Sequence, residues 1–228
     1  MTETKKSLII LMIPPLLNYL DWKKDPKNQY FFLPDIISYQ EKFAAWQRQK
    51  NSNLIQWIES LSNEMIYNDK IIDILNKSSQ SKIILVNYPR NKESLQTLEK
   101  EIWIREQNQP IFFFVSFNKQ LEADFAELQT KNIICPFCEK SWKKKETVSE
   151  RENIFHCPED KTELNLVEAE KITQYLLNDY FDKAAQIIEY QKTKKNKTII
   201  LELSIKLDFE PENLHKYLLE KLEKETRG

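Results

Sequence analysis

The sequence has almost no glycine: one in 228 residues, Gly228, against an ordinary usage of roughly 7 %. Only glycine visits positive φ freely and lets a phosphate approach the backbone closely. A glycine-rich phosphate loop is therefore excluded. Net charge is also nearly absent. Lys+Arg number 34 and Asp+Glu 35, a balance of −1, so no global basic field recruits nucleic acid or an anionic lipid surface. Cysteine is scarce. There are three, all between 135 and 157, and an odd, clustered set points to metal rather than to a disulfide framework. A reducing compartment follows, and with it a cytoplasmic protein. Long apolar runs are missing as well. Leu8-Ile9-Ile10-Leu11-Met12-Ile13 follows two lysines in the manner of a signal peptide. It is too short to span a membrane and meets Pro14-Pro15 with no small-residue cleavage site. It reads as a buried strand.

What is present suits one α/β domain with an insertion. At 41 % hydrophobic residues the chain can fill a sizeable core. Short runs rich in Ile, Val and Phe predict strands at Leu8–Ile13, Tyr30–Leu33, Lys82–Asn87, Ile111–Phe117 and Thr198–Ser204. Amphipathic patterns between them predict helices near 15–24, 35–49, 52–77, 91–107, 118–130, 165–192 and 210–225. Pro211 suits the first position of the last one. Near-continuous apolar strands alternating with helices imply a parallel sheet covered on both faces. The stretch 133–165 breaks this rhythm and reads as an excursion from the sheet.

That excursion carries the clearest chemistry. Cys135-Pro136-Phe137-Cys138 and Cys157-Pro158-Glu159-Asp160 are two turns with the same x-x spacing, about twenty residues apart. Zinc takes four ligands at tetrahedral angles, and one tight turn with an x-x spacer presents two of them. Cys135, Cys138, Cys157 and Asp160 would form a closed, structural site with no open position for water. Three thiolates and a carboxylate around Zn²⁺ leave a net charge of about −2, which Lys140 and Lys161 could offset. His156 is the alternative to Asp160, disfavoured because it adjoins Cys157 and neighbours rarely both reach one small ion.

These residues carry a resemblance. Ile134-Cys135-Pro136-Phe137-Cys138 and Cys157-Pro158-Glu159-Asp160-Lys161-Thr162-Glu163-Leu164 resemble the zinc-bearing lid of bacterial adenylate kinases, whose fourth ligand is Cys or Asp. Leu85-Val86-Asn87-Tyr88-Pro89-Arg90 sits where that family has Leu-Asp-Gly-Phe-Pro-Arg. Leu8–Pro15 sits where its first strand enters the phosphate loop. The resemblance implies an adenylate-kinase-like fold: a five-stranded parallel sheet flanked by helices, a core of residues 1–132 and 166–228, and a zinc-binding lid at 133–165.

It also implies a loss. The family loop Gly-x-Pro-Gly-x-Gly-Lys-Gly-Thr falls on residues 13–21, Ile-Pro-Pro-Leu-Leu-Asn-Tyr-Leu-Asp. Tyr19 stands for the phosphate-bridging lysine and Asp21 for the hydroxyl on the Mg²⁺ side. Val86 replaces the acidic residue at the strand end. Other phosphate-side arginines and the adenine-binding glutamine fall near Ser38, Ser94, Glu127, Val167 and Tyr175. Arg90 survives, as a vestigial phosphate contact or an inherited ion pair. Phosphoryl transfer depends on positioned cations and backbone donors, and removal of one such donor costs about 10²–10³ in rate. The resemblance therefore implies a catalytically inactive member with no catalytic residues and no nucleotide-binding set. Its expected role is as a structural or interaction subunit of a larger assembly, for example an ATPase or motor complex. Non-catalytic nucleotide binding is the alternative, and an active nucleoside-monophosphate kinase a weaker one. Trp22, Trp46, Trp57, Trp103 and Trp142 are candidate interface anchors, Trp142 foremost. RNA contact through Lys140, Lys143, Lys144, Lys145 and Trp142 is opposed by the overall charge, and neither nucleic acid nor a membrane span is expected.

Overall fold

A computed structural model of the chain describes residues 7–17, 29–32, 42, 46–47, 53–62, 66–77, 82–100, 111–117, 127, 129–149, 152–194, 198–203 and 211–226. Five strands form the main sheet: β1 (Ser7–Met12), β2 (Gln29–Phe32), β3 (Lys82–Val86), β4 (Ile111–Phe117) and β10 (Thr198–Leu203). Their order is β10-β4-β1-β3-β2, and every neighbouring pair is parallel. Each lies within about one residue of a predicted run, since an apolar stretch of four to seven residues is too short for a core helix.

Both faces of this sheet are buried, and the strand period of two divides the core. Ile10 and Met12, Ile83 and Leu85, and Phe112 and Phe114 point to one side. There they meet Ile71 and Leu75 of helix α2 (Ile66–Lys77), Leu95 and Leu98 of α3 (Lys92–Leu98), and Tyr180, Ala184 and Ile187 of α5 (Leu166–Thr193). Ile9, Leu11, Ile84, Val86, Phe113 and Val115 point to the other side, against Leu214, Leu218 and Leu222 of α6 (Pro211–Thr226). Asn91 and Asn165 cap α3 and α5, each side chain accepting a backbone N–H of the first turn.

Within the stretch 52–77 two helices are described, α1 (Leu54–Ser62) and α2, and they serve different clusters. Trp57 and Ile58 of α1 pack on the 133–165 excursion, whereas Ile71 and Leu75 of α2 pack on the sheet. The predicted helix at 118–130 lies mostly outside the described residues. Much of those at 15–24 and 35–49 and the end of that at 91–107 also do. No helix among the described residues is long and apolar enough to cross a membrane.

The excursion contains two small sheets, β5 (Asn132–Ile134) with β6 (Ser141–Lys143), and β7 (Val148–Ser149) with β8 (Ile154–His156) and β9 (Glu163–Asn165). The short helix α4 (Lys144–Thr147) joins them. α5 ties this lid to the core. Ala169 and Ile172 of its first half pack on the lid, and Tyr180, Ala184 and Ile187 of its second half on the sheet. Thr173 between them accepts the Ile134 N–H (3.0 Å) and donates to the Ala169 carbonyl (2.8 Å).

At the carboxyl ends of β1 and β3 the chain closes on itself. The connections leaving these neighbours run in opposite directions across the sheet, toward β2 and β4, which in open α/β sheets marks the crevice where ligands bind. After β1, Pro15–Leu17 forms a single 3₁₀ turn, with Leu16 and Leu17 buried. Leu16 packs on Ile134 and Leu177, and Leu17 joins the α6 side of the core. The Ile13 N–H donates to Asn87 Oδ1 (2.6 Å), and the Asn87 N–H to the Leu11 carbonyl (2.8 Å). Asn87 has φ 54°, a left-handed conformation that asparagine tolerates better than most residues. We predict that Asn87→Ala lowers stability by roughly 2–3 kcal/mol, through loss of the Ile13 partner and the cost of alanine at positive φ. Asn87→Gly should cost visibly less, since it loses only the hydrogen bond. Urea unfolding of the two variants measures the difference, and equal midpoints would show that the backbone conformation carries no cost.

Candidate metal centre

Each of the two cysteine turns is the loop of a β-hairpin, and the two loops share one hydrogen-bond pattern. Between β5 and β6, the Glu139 N–H donates to the Cys135 carbonyl (2.9 Å) and the Cys135 N–H to the Lys140 carbonyl (3.0 Å). Between β8 and β9, the Lys161 N–H donates to the Cys157 carbonyl (3.0 Å) and the Cys157 N–H to the Thr162 carbonyl (2.8 Å). The fifth residue of each loop is left-handed, Glu139 at φ 57° and Lys161 at φ 64°. Neither is glycine, so each carries a steric cost of about 1–2 kcal/mol.

The loops bring Cys135, Cys138, Cys157 and Asp160 together. All four are buried, and one donor atom from each lies within 4.8 Å of the other three. Cys138 Sγ and Cys157 Sγ are 3.6 Å apart. That is far beyond a disulfide bond and close to the roughly 3.8 Å edge of a tetrahedron with 2.3 Å metal–sulfur bonds. Asp160 is held for the same purpose. Its Oδ2 accepts the Cys135 thiol and the Cys138 N–H (both 3.0 Å), and its Oδ1 the Thr162 N–H (2.9 Å). Burial pushes the Cys135 thiol up. Hydrogen bonds from the Cys135 and Cys138 thiols, aided by the backbone N–H groups of Asp160 and Glu159, pull Cys157 down against its burial. A set of three sulfurs and one carboxylate oxygen at these separations could hold a metal ion. His156 lies outside it: its side chain is 42 % exposed and its Nδ1 faces Glu163 Oε1 at 3.2 Å.

Beside the centre lies an ion cluster around Glu139. Arg90 Nη2 donates to both carboxylate oxygens of Glu139 (2.6 Å each), and Lys42 Nζ donates to Glu139 Oε1 (2.8 Å) and to the Phe137 carbonyl (3.1 Å). The Lys42 side chain is 0 % exposed. Burial would raise the Glu139 carboxyl, but Arg90 and Lys42 outweigh it and hold the group down to about 2. Phe137, in the same loop, lies against Trp46 and Trp57 at ring distances of 5.7 and 5.5 Å. Lys42 and Trp46 are one helical turn apart. The partners of Lys42 lie 95 and 97 residues away in sequence, beyond the reach of any local spacing pattern.

Other expected residues fall elsewhere. Trp57 is fully buried, and Trp46 and Trp142 are partly buried in the lid cluster. Trp22, Trp103, Ser38, Tyr19 and Asp21 lie outside the described residues. Lys140, Lys143 and Lys144 face Glu159, Glu146 and Glu170. Lys161 donates to the Pro158 carbonyl (2.8 Å). No protein-family model matches the chain, and no curated protein matches it.

The purified chain is expected to bind one Zn²⁺, read by elemental analysis and by competition with a chromophoric chelator. Cys157→Ser and Asp160→Ala should each weaken binding by more than the 10–100-fold typical of losing an outer-shell partner. His156→Ala should leave affinity unchanged, and Asp160→Cys should retain the metal. Loss of zinc in His156→Ala with retention in Asp160→Ala would reverse the ligand assignment.

Proposed function

We propose that the chain is a catalytically inactive, adenylate-kinase-like protein that serves as a structural or interaction subunit of a larger assembly, with Zn²⁺ as a structural ion in its lid. The observation that carries this reading is what fills the crevice beyond β1 and β3. Phosphoryl transfer needs backbone N–H groups and cations aimed at a phosphate. The Ile13 N–H is given to Asn87, Leu16 and Leu17 are buried, and Arg90 grips Glu139. The space left among Met12, Pro15, Asn87, Arg90, Tyr180 and Lys183 is about 80 Å³, against roughly 300–1,000 Å³ for ordinary small-molecule sites. Zn²⁺ is favoured by the sulfur-rich, four-donor set, and a closed set supports a fold rather than a reaction. The balanced overall charge and a cytoplasmic location suit a protein partner rather than nucleic acid.

The alternative of nucleotide binding without catalysis rests on that same small space, which Arg90 and Lys183 line. Calorimetry with ATP, ADP and AMP, together with a coupled phosphotransfer assay, separates the readings. An inactive subunit shows no turnover and no micromolar binding, whereas micromolar binding without turnover establishes the alternative. Turnover at ordinary kinase rates would sink both. Affinity purification from native extract should return stoichiometric protein partners, and recovery of this chain alone would count against a subunit role.

A further inference from the structure

We propose that the lid is seated on the core by a dry apolar seam, so that lid and core form one cooperative unit and the lid stays closed without a ligand. The seam joins three parts of the chain. Leu16 comes from the turn after β1, Ile134 from β5 and Leu177 from the middle of α5. They form one buried cluster, none of them more than 2 % exposed, with Leu176 packed against it. β5 is held from both sides, because successive strand residues point to opposite faces. Ile134 faces the seam, whereas Ile133 and Cys135 lie in the cluster that holds Leu54, Trp57 and Ile58 of α1. The Ile134 N–H donates to the buried Thr173 Oγ1 at 3.0 Å. Opening the lid would bare Leu16 and Ile134 to water and break that bond.

A lid that swings in water needs a closing face that water can wet, since large apolar patches are rarely left exposed. The closing face here is apolar but for one group. Ser141 stands opposite Ile134 in the β5–β6 ladder and so shares its face. Ser141 is buried, and its Oγ has no hydrogen-bond partner. A buried hydroxyl left unpaired opposes closure, because water would satisfy it in an open lid. The lid is closed all the same, which makes apolar burial at Leu16, Ile134 and Leu177 the larger effect. Ser141 thereby reports on the joint: its hydroxyl gains a partner only when the seam parts. The seam depends on packing alone and holds for any function of the crevice.

Native-state hydrogen exchange of the full chain in rising urea tests this. The Ile134 and Cys135 amides should match the protection of the β1 and β3 amides within about tenfold and share their urea dependence. Lid amides that open ahead of the core by more than this, or without urea dependence, overturn the single unit. Ser141→Ala removes the unpaired hydroxyl at nearly constant shape. It should slow exchange about tenfold in the lid and in β1 and β3 alike, since an unsatisfied buried group is costly. Slowing confined to the lid, or none at all, overturns the proposal. Leu16→Ala should speed the Ile134 and Cys135 amides at least about tenfold, and a folded variant with unchanged lid protection overturns the seam. Should Leu16→Ala fail to fold, the wild-type chain and Ser141→Ala decide.

Discussion

Three thiol groups and a carboxylate buried within 4.8 Å of one another cannot all ionise unless a cation sits among them. In low dielectric each added negative charge raises the cost of the next. Here the Cys135 thiol donates to Asp160 and Cys138 pairs with Cys157, while burial raises the Cys135 thiol and hydrogen bonds lower that of Cys157. A divalent ion held there would replace these contacts with four direct bonds, and its binding energy would become folding energy. The lid strands are two or three residues long, and such ribbons are not stable alone in water. The apolar cluster with α1 and the first half of α5 covers them, and the clasp fixes the two loops that carry Phe137 and Glu139.

The scarcity of glycine has a structural counterpart. Four described residues take a left-handed backbone, Asn87, Glu139, Asn153 and Lys161, and none is glycine. Two are asparagine, the most tolerant of the alternatives. The other two are the fifth residues of the metal-binding loops. Strain of this kind persists only where the surroundings over-determine the conformation. In these loops the hairpin hydrogen bonds and the gathered ligands do so. A chain whose one glycine is Gly228 can still turn sharply where hairpin hydrogen bonds and gathered side chains enforce the turn. It cannot as easily bare a row of backbone N–H groups to a phosphate, and residues 13–17 are packed with side chains instead.

What the sequence disclosed follows from locality. The strands were legible because their apolar runs are short and each sheet face is covered. α5 was legible because Ile172, Tyr180, Ala184 and Ile187 recur at helical spacing. The metal ligands were legible because each pair is formed by one turn. The separation of α1 from α2 was not, since both carry apolar stripes and only tertiary packing assigns one to the lid and the other to the sheet. The role of Trp57 was not legible for the same reason: its sequence suits a partner contact or the core, and tertiary packing places it against Phe137.

The ion cluster at Glu139 was the least legible element, and it bears most on function. Arg90 alone could be a remnant of a phosphate site or a structural ion pair, and its local sequence fits both. Lys42 changes the weighing. A lysine with no exposed side chain would not persist beside an arginine unless an anion were always present, because a lone buried charge costs several kcal/mol. A diffusible anion would leave that cost standing whenever it departed. A carboxylate on the chain's own hairpin loop does not depart. Together with the buried Leu16 and Leu17 that follow β1, Glu139 gives the crevice an occupant of its own. The physical logic of the site is then that of a closed joint in which Lys42, Arg90 and the lid loop meet at one carboxylate, and charges suited to gripping a ligand hold the chain to itself.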